Sequence, residues 1–98
     1  MANENEASLL RKLARKPEVL FRYRSHAEVE MRNDSIEKID IENMLRRCKV
    51  TNVEYSNDET TFRAKGSDLD GRKIVAIVVI YVDECEIKVI TAWVDHSK

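Results

Sequence analysis

The first half of the chain carries its apolar residues at the spacing of α-helices. Within residues 1–17 one helical face is formed by Leu9, Leu10, Leu13 and Ala14. Asn5 can cap this helix, and Pro17 ends it because proline disfavours the helical conformation of the residue before it. The segment is therefore predicted to be an N-terminal helix, which either packs on its own domain or serves as an arm that binds a partner.

Two further helices are predicted before Cys48. Ser25 and Glu28 have the spacing of a capping box, so a helix is expected from His26 to about Asn33. The apolar face of a third helix is outlined by Ile36, Ile41, Met44 and Leu45. Residues 19–24, which precede the second helix, fit either a short strand or an extended entry into that helix.

After Lys49 the apolar period changes to two, which is typical of β-strands. Four strands rich in Val, Ile and Thr are expected over residues 50–56, 60–65, 73–82 and 86–94. Turns are predicted at Asn57-Asp58, at Asp70-Gly71 and from Asp83 to Cys85. Because the connections are this short, an antiparallel meander is the simplest topology.

Residues 74–82 are apolar on both faces, which predicts a central strand that is covered on each side. Helices followed by strands indicate an α+β domain, with the N-terminal helices packed on a four-stranded antiparallel sheet. The second face of the sheet, which holds Val75, Ile77, Val79 and Tyr81 or their alternates, then needs a cover of its own. The N-terminal helix or a second copy of the chain can supply it, so a homodimer is a further expectation.

Composition places the chain among globular proteins. It has 98 residues, of which 43% are hydrophobic and 36% charged, with two glycines and one proline, and this excludes collagen-like, low-complexity and largely disordered classes. A single domain over residues 1–98 is expected, with an N-terminal helix in 1–17 and a core in 19–94. The formal net charge of -1 supplies no general attraction to nucleic acid or membrane.

Cys48 and Cys85 are too few for a disulfide framework or for a zinc site made of cysteine pairs, and unpaired thiols are expected. The first residues are polar and acidic, unlike a signal peptide. The longest apolar run, over residues 74–82, is far shorter than the ~20 residues that cross a bilayer. The chain is therefore expected to be cytoplasmic, without a membrane segment and without a cofactor.

An ordered series of short motifs runs from residue 21 to residue 94. Its members are Ser25-His26-Ala27, Met31, Ile36, Asp40-Ile41, Met44-Leu45, Gly66, Gly71-Arg72 and Ile90-Thr91-Ala92-Trp93. In order and spacing this series resembles a small bacterial family known as domain of unknown function 4258. The resemblance implies a fold like that of the RelE, ParE and BrnT toxins, in which helices pack on a strongly twisted antiparallel sheet.

The resemblance also implies chemistry, because the wider group of toxins includes ribonucleases that cleave RNA without a metal. His26 is then the expected acid or base, since histidine changes protonation near neutral pH and the start of a helix favours an anion. The catalytic residues expected on this basis are His26, Arg24, Arg72 and Thr91. The expected RNA-binding residues are Arg22, Arg32, Arg63 and Trp93. Trp93 shares a strand face with Thr91 and offers a surface on which a base can stack.

Two acids stand where that family usually places arginine, Glu30 and Asp34, and Arg32 lies between them on a different side of the helix. His26 and Glu30 have a spacing that suits a metal on a helix, but no third ligand is evident nearby and no metal site is expected.

Two hypotheses of function stay open. One is RNA cleavage centred on His26 in a toxin–antitoxin or mobile-element setting, beside a cognate antitoxin. The other is a non-catalytic module that forms a dimer or binds a partner, which the two acids and the lack of basic surplus favour.

Overall fold

The structure, a computed structural model, describes residues 3–56 and 59–96. Its elements in chain order are α1 (Glu4–Arg15), β1 (Leu20–Tyr23), α2 (Ser25–Asn33), α3 (Lys38–Leu45), β2 (Lys49–Ser56), β3 (Glu59–Ser67), β4 (Lys73–Tyr81) and β5 (Glu86–Val94). The chain is thus a mixed α+β protein, and the four expected strands lie within two residues of their predicted limits. The turn predicted at Asn57-Asp58 lies outside the described residues.

The sheet has five strands in the order β1-β5-β4-β3-β2, so the prediction of four strands was wrong. β2 to β5 form the predicted antiparallel meander, whereas β1 pairs in parallel with β5, with Leu20 opposite Glu86 and Tyr23 opposite Val89. β1 has only four residues, too few for a strand pattern of its own. Its pairing depends on β5, more than sixty residues away in sequence, and local pattern carries no signal of that contact.

The helix starts differ slightly from those predicted. Asn3 is the N-cap of α1, so Asn5 lies inside the helix. Arg24 is the N-cap of α2, and Ser25 is its first helical residue. The capping box belongs instead to α3, where the Glu37 backbone N–H donates to the Asp40 carboxylate at 2.9 Å. The differences are shifts of one or two residues, and they leave all three predicted helices in place.

All three helices contribute to one core against one face of the sheet. Its largest fully buried side chains include Leu10, Ile41, Met44, Phe62, Ile74 and Ile87. The basic end of α1 is tied to the α3–β2 connection, because Arg11 donates to the Cys48 carbonyl oxygen at 2.8 Å and Arg15 to that of Arg46 at 2.9 Å. Burial raises the pKa of the Cys48 thiol to about 11. α1 is therefore packed on the domain and does not cover the second face of the sheet.

In the described ranges, no helix is both long enough and apolar enough to span a membrane.

Candidate functional site on the open face of the sheet

The sheet face opposite the helices, here called the open face, is formed by alternate residues of all five strands. Strand register arranges the side chains of the open face in four rows. The rows are Leu20, Glu86 and Tyr81; Arg22, Lys88, Val79, Thr61 and Glu54; Thr91, Ile77, Arg63 and Asn52; and Trp93, Val75, Lys65 and Lys49. Val75 and Val79 are only 1% and 3% exposed, although none of the three helices lies over them. They are shielded by longer side chains from the neighbouring strands, so this face has an apolar floor and a polar, charged upper layer.

Trp93 and Arg63 meet on this face from opposite sides of β4. The Arg63 guanidinium carbon lies 5.5 Å from the centroid of the Trp93 ring, an arrangement in which a planar cation rests on an aromatic ring. Arg63 also lines a groove of about 400 Å³, together with Thr51, Asn52, Lys65, Val75 and Asp95. Two of the predicted RNA-binding residues are thus in contact, beside a groove that runs over the open face.

Tyr81 forms a second aromatic position at the other end of β4. Its hydroxyl donates to the Glu59 carboxylate at 2.9 Å, and the Lys88 ammonium lies 5.8 Å from its ring centroid. The hydrogen bond to Glu59 raises the Tyr81 pKa, with smaller contributions from burial and from the charges of Glu59 and Glu86. The hydroxyl therefore stays protonated at neutral pH. Sequence reasoning did not select Tyr81 or Lys88 as site residues. The alternation of Tyr81 with Val79 was a usable signal for Tyr81. Strict alternation would put Lys88 and Trp93 on opposite faces, and only the β-bulge at Ile90 brings them to the same face.

The start of α2 brings His26 to the edge of the open face. Arg22 is 3.1 Å from the Glu86 carboxylate, and the Arg24 backbone N–H donates to the Val89 carbonyl oxygen at 3.0 Å. The His26 side chain is 67% exposed, and its Nε2 lies 3.2 Å from Oε1 of Glu30, one helical turn on. Glu28, on the opposite flank of α2, pairs with Lys38 of α3. His26 and Glu30 therefore occupy the flank that faces away from the helix layer.

Arg72, one of the predicted catalytic residues, makes its contacts away from the open face, with the β3–β4 turn and the end of α2. Its Nε lies 2.7 Å from the buried Asp68 carboxylate, and its other guanidinium nitrogens donate to the carbonyl oxygens of Asp34 and Ser35 at 2.9 and 3.1 Å. Within residues 3–56 and 59–96, no hydrogen bond or ion pair joins any two of the four predicted catalytic residues. Their catalytic role stays a prediction.

The Asp68 carboxylate also accepts hydrogen bonds from the backbone N–H groups of Asp70 and Arg72, at 3.0 and 2.8 Å. Burial alone raises the pKa of Asp68. The hydrogen bonds and charge of Arg72, with the two backbone N–H donors, outweigh that effect and hold the pKa below its ordinary value. The buried Asp68 carboxylate and the half-buried Arg72 guanidinium therefore form an ion pair, here called the latch, which joins the β3–β4 turn to the end of α2.

Arg32, predicted to bind RNA, lies apart from the open face. It lines a separate shallow groove with Glu28, Met31, Ile36, Glu37 and Lys38, on the flank of α2 nearer to α3. The structure therefore brings together five of the eight predicted site residues on the open face, namely Arg22, Arg24, Arg63, Thr91 and Trp93, with His26 at its border. It separates Arg32 and Arg72 from them.

Asp34, one of the two acids found where arginine is usual, has a defined structural partner. Its Oδ2 accepts a hydrogen bond from the backbone N–H of Val94 at 2.8 Å. Val94 is the last residue of β5, so this bond joins the C-terminal end of α2 to the end of that strand. Its carbonyl oxygen accepts a hydrogen bond from Arg72. Glu30, the other acid, pairs only with the exposed His26 among the described residues. The two acidic replacements thus have different consequences for the fold.

Substituting Asp34→Arg is expected to lower the free energy of unfolding by about 2 kcal/mol, because the Val94 N–H loses its charged acceptor and a second cation is placed beside Arg72. Glu30→Arg makes the same change of charge at an exposed position and should alter stability by less than about 0.5 kcal/mol. Urea denaturation of both variants checks this. Equal losses for both would refute the assigned role of Asp34.

Among residues 3–56 and 59–96 there is no group of three or more His, Cys, Asp or Glu side chains that could hold a metal ion. His26 and Glu30 form a pair without a third such ligand there.

The comparisons with known proteins bear on the identity of the chain. A family model described as Domain of unknown function (DUF4258) matches residues 23–94, nearly three quarters of the chain. The match runs from the last residue of β1 to the last residue of β5, so it includes α2, α3 and most of the open face. No curated protein and no solved structure matches the chain. By its coverage, the family match identifies this chain as a member of the DUF4258 family.

Proposed function

We propose that this protein binds single-stranded RNA across the open face of its sheet, on a fold of the RelE, ParE and BrnT type. One observation carries the proposal: the Trp93 ring and the Arg63 guanidinium meet on an uncovered sheet face that holds further cations. A stacking surface beside positive charge is the combination that single-stranded nucleic acids require, because every base has a π-face and every linkage carries a negative charge.

The stacked pair indicates how a base would bind. The guanidinium of Arg63 occupies the position over the Trp93 ring that a planar base would take. When a base stacks on Trp93, Arg63 is free to turn toward the adjacent phosphate. Stacking of this kind contributes about 1–3 kcal/mol per base. Thr91 lies opposite Ile77, in the row next to that of Trp93. Its hydroxyl can form a hydrogen bond with a ribose 2′-hydroxyl, the group that distinguishes RNA from DNA.

Charge on the open face supports the same proposal. Arg22 and Lys65 each have an acidic partner, Glu86 and Asp95. By contrast, Arg24, Arg63 and Lys88 have no carboxylate within ion-pair distance in the part of the chain that the structure describes. The formal net charge of -1 therefore conceals a local excess of available cations, which can attract a phosphate backbone at short range.

Arg63→Met tests the proposal, because it removes the cation and keeps an apolar side chain of similar length. A fluorescently labelled oligouridylate of about ten nucleotides should bind the wild-type protein, and Arg63→Met should weaken binding about tenfold. The slope of log Kd against log salt concentration should fall by about 0.7 if one phosphate contact is lost. Arg32→Met, the same substitution away from the open face, is the matched control and should leave both quantities unchanged.

The opposite outcome favours the non-catalytic alternative. If Arg63→Met and Arg32→Met have equal affinities, or if the wild-type protein does not bind the oligonucleotide, RNA binding at the open face is refuted. Light scattering then decides whether the face serves a homodimer. A dimer that Arg63→Met dissociates would assign the open face to a second copy of the chain, as in a dimeric or partner-binding module.

Cleavage of the bound strand is the second candidate activity, and the His26–Glu30 pair is the observation that favours it. The pair is exposed at the border of the open face, and the carboxylate at 3.2 Å can hold the imidazole in one orientation. In the proposed step the ribose 2′-oxygen attacks phosphorus while the imidazole takes its proton. The bond to the 5′-oxygen breaks, and water protonates that oxygen. Arg24, the N-cap residue of α2, is the cation proposed to stabilise the added negative charge. A cognate antitoxin, in this proposal, would cover the same surface.

A further inference from the structure

A further cavity lies at the end of the sheet where β2 begins, β3 ends and β4 begins. Its volume is about 520 Å³, and it is lined by Met44, Arg47, Lys49, Lys65, Gly66, Ser67 and Lys73. Four of these seven residues are cations, and none of the seven is acidic. Lys49 and Lys65 belong also to the last row of the open face, whereas Arg47 and Lys73 lie outside the four rows. We call this cavity the basic pocket.

Strand pairing accounts for the concentration of charge. Lys49 and Lys65 are directly opposite each other on β2 and β3, and Lys73 is opposite Ser67 on β3 and β4. Like charges that face each other across a strand pair are destabilising. Lys65 is offset by Asp95 at 3.0 Å, but Lys49 and Lys73 have no acidic partner within residues 3–56 and 59–96. The free protein thus places Lys49 and Lys73 at this end of the sheet without a carboxylate in ion-pair distance among the described residues, and a bound anion would supply their counter-charge.

The fourth cation, Arg47, is held in place by the backbone. Its guanidinium donates to the carbonyl oxygens of Ser67 at 3.2 Å and Asn43 at 3.4 Å, so it is fixed at the pocket wall without its charge being neutralised. Gly66 lets α3 approach the pocket closely, because a Cβ atom there would lie 2.7 Å from Cγ of Met44. A fixed guanidinium with mobile ammonium groups around it suits the several oxygens of a phosphate group.

The basic pocket is continuous with the open face. Lys65 lines both this pocket and the groove beside Arg63. The row Trp93, Val75, Lys65 and Lys49 crosses four adjacent strands, so about 14 Å separates the stacking surface from Lys49. A strand of RNA whose base stacks on Trp93 can therefore extend along this row into the pocket.

We propose that the basic pocket is a phosphate-binding site, and that it holds a phosphate group of the RNA strand that crosses the open face. The second part rests on the proposed function. The ligand chemistry is a phosphate monoester or diester held by Arg47, Lys49, Lys65 and Lys73. This site would fix the direction of the strand relative to Trp93, since the charge lies at one end of the row only.

The first experiment uses inorganic pyrophosphate alone, so that it does not depend on RNA binding. In an NMR titration the amide shifts should be confined to the residues that line the basic pocket, Gly66 and Ser67 among them. Lys49→Met and Lys73→Met should each weaken pyrophosphate binding roughly tenfold. Arg32→Met, which removes a cation on the flank of α2 nearer to α3 and away from the basic pocket, should have no effect. Shifts spread over all surface cations, or affinity unchanged in both lysine variants, would overturn the site.

The second experiment adds the labelled oligouridylate. Lys49→Met and Lys73→Met should weaken its binding and each reduce the salt slope by about 0.7. If both variants bind pyrophosphate poorly but bind the oligonucleotide as the wild type does, the pocket is not part of the RNA path and that part of the inference fails. Loss of oligonucleotide binding in Arg63→Met, with pyrophosphate binding intact, would separate the stacking site from the pocket and support both assignments.

Discussion

Replacing Arg72 with methionine is expected to lower the free energy of unfolding by about 3 kcal/mol. Arg72 is the main partner of the Asp68 carboxylate, whose side chain is almost fully buried, and it also satisfies two carbonyl oxygens at the end of α2. Its removal leaves a buried charge with only two backbone N–H donors. Urea denaturation followed by circular dichroism measures the loss.

Arg32→Met is the matched control for this prediction. Arg32 is exposed on α2, and its side chain has no hydrogen bond or ion pair within the described ranges. The same substitution there should therefore change stability by less than about 0.5 kcal/mol. If the two variants lose similar stability, Arg72 is not the structural residue described above, and its predicted catalytic role would regain support.

The pH dependence of stability offers a second readout of the same latch. The pKa of Asp68 lies below its ordinary value in the folded protein. The ionised carboxylate therefore adds to the free energy of unfolding at pH values above the unfolded pKa of about 4. That stabilisation is lost as the pH falls through the folded pKa. The wild-type protein should therefore lose stability steeply in acid. Arg72→Met, which lacks the partner that lowers this pKa, should lose less over the same range.

The second large effect concerns the proposed RNA cleavage. His26→Ala should reduce the rate of cleavage of a single-stranded RNA by about 100-fold, the usual contribution of a general base. Cleavage should persist in EDTA and leave a 2′,3′-cyclic phosphate, because the step uses the 2′-hydroxyl and no metal. Equal cleavage by the wild type and His26→Ala, or none by either, would refute the catalytic hypothesis while leaving RNA binding to stand on its own test.

Glu30 can be tested as a residue that positions His26. Glu30→Gln removes the charge that faces the imidazole and should slow cleavage about tenfold. Glu28→Gln is the matched control on the other flank of α2, where the carboxylate pairs with Lys38. A positioning role predicts a lower rate with unchanged oligonucleotide affinity in Glu30→Gln. Equal rates in the two glutamine variants would contradict it.

Local sequence pattern predicted the three helices and the four antiparallel strands, but it did not predict β1, whose pairing with β5 is distant in sequence. The alternation in residues 86–94 correctly placed Thr91 and Trp93 on the same face, and that in residues 74–82 placed Val75 and Val79 together. The pattern also indicated that β4 is buried on both sides. It did not indicate what covers the second face, because the cover comes from side chains such as Arg63 that reach over from a neighbouring strand.

Roles that depend on distant pairing could not be predicted in the same way. Arg72 had the residue type and sequence setting of a phosphate ligand, but its partners Asp34 and Ser35 lie nearly forty positions away. The basic pocket likewise exists only because β2, β3 and β4 bring Lys49, Lys65 and Lys73 to one end of the sheet. From sequence alone these lysines cannot be distinguished from ordinary solvent-exposed residues, because their proximity depends on the strand register.

Trp93 is the only tryptophan of the chain, so its fluorescence reports directly on the open face. Titration with unlabelled oligouridylate should quench the Trp93 emission to saturation, with the same Kd as the labelled strand gives. A deoxyuridylate strand of equal length should bind more weakly, since it lacks the 2′-hydroxyl. Unchanged Trp93 emission at concentrations that saturate the labelled strand would mean that RNA binds elsewhere, and would contradict the proposal that bases stack on the open face.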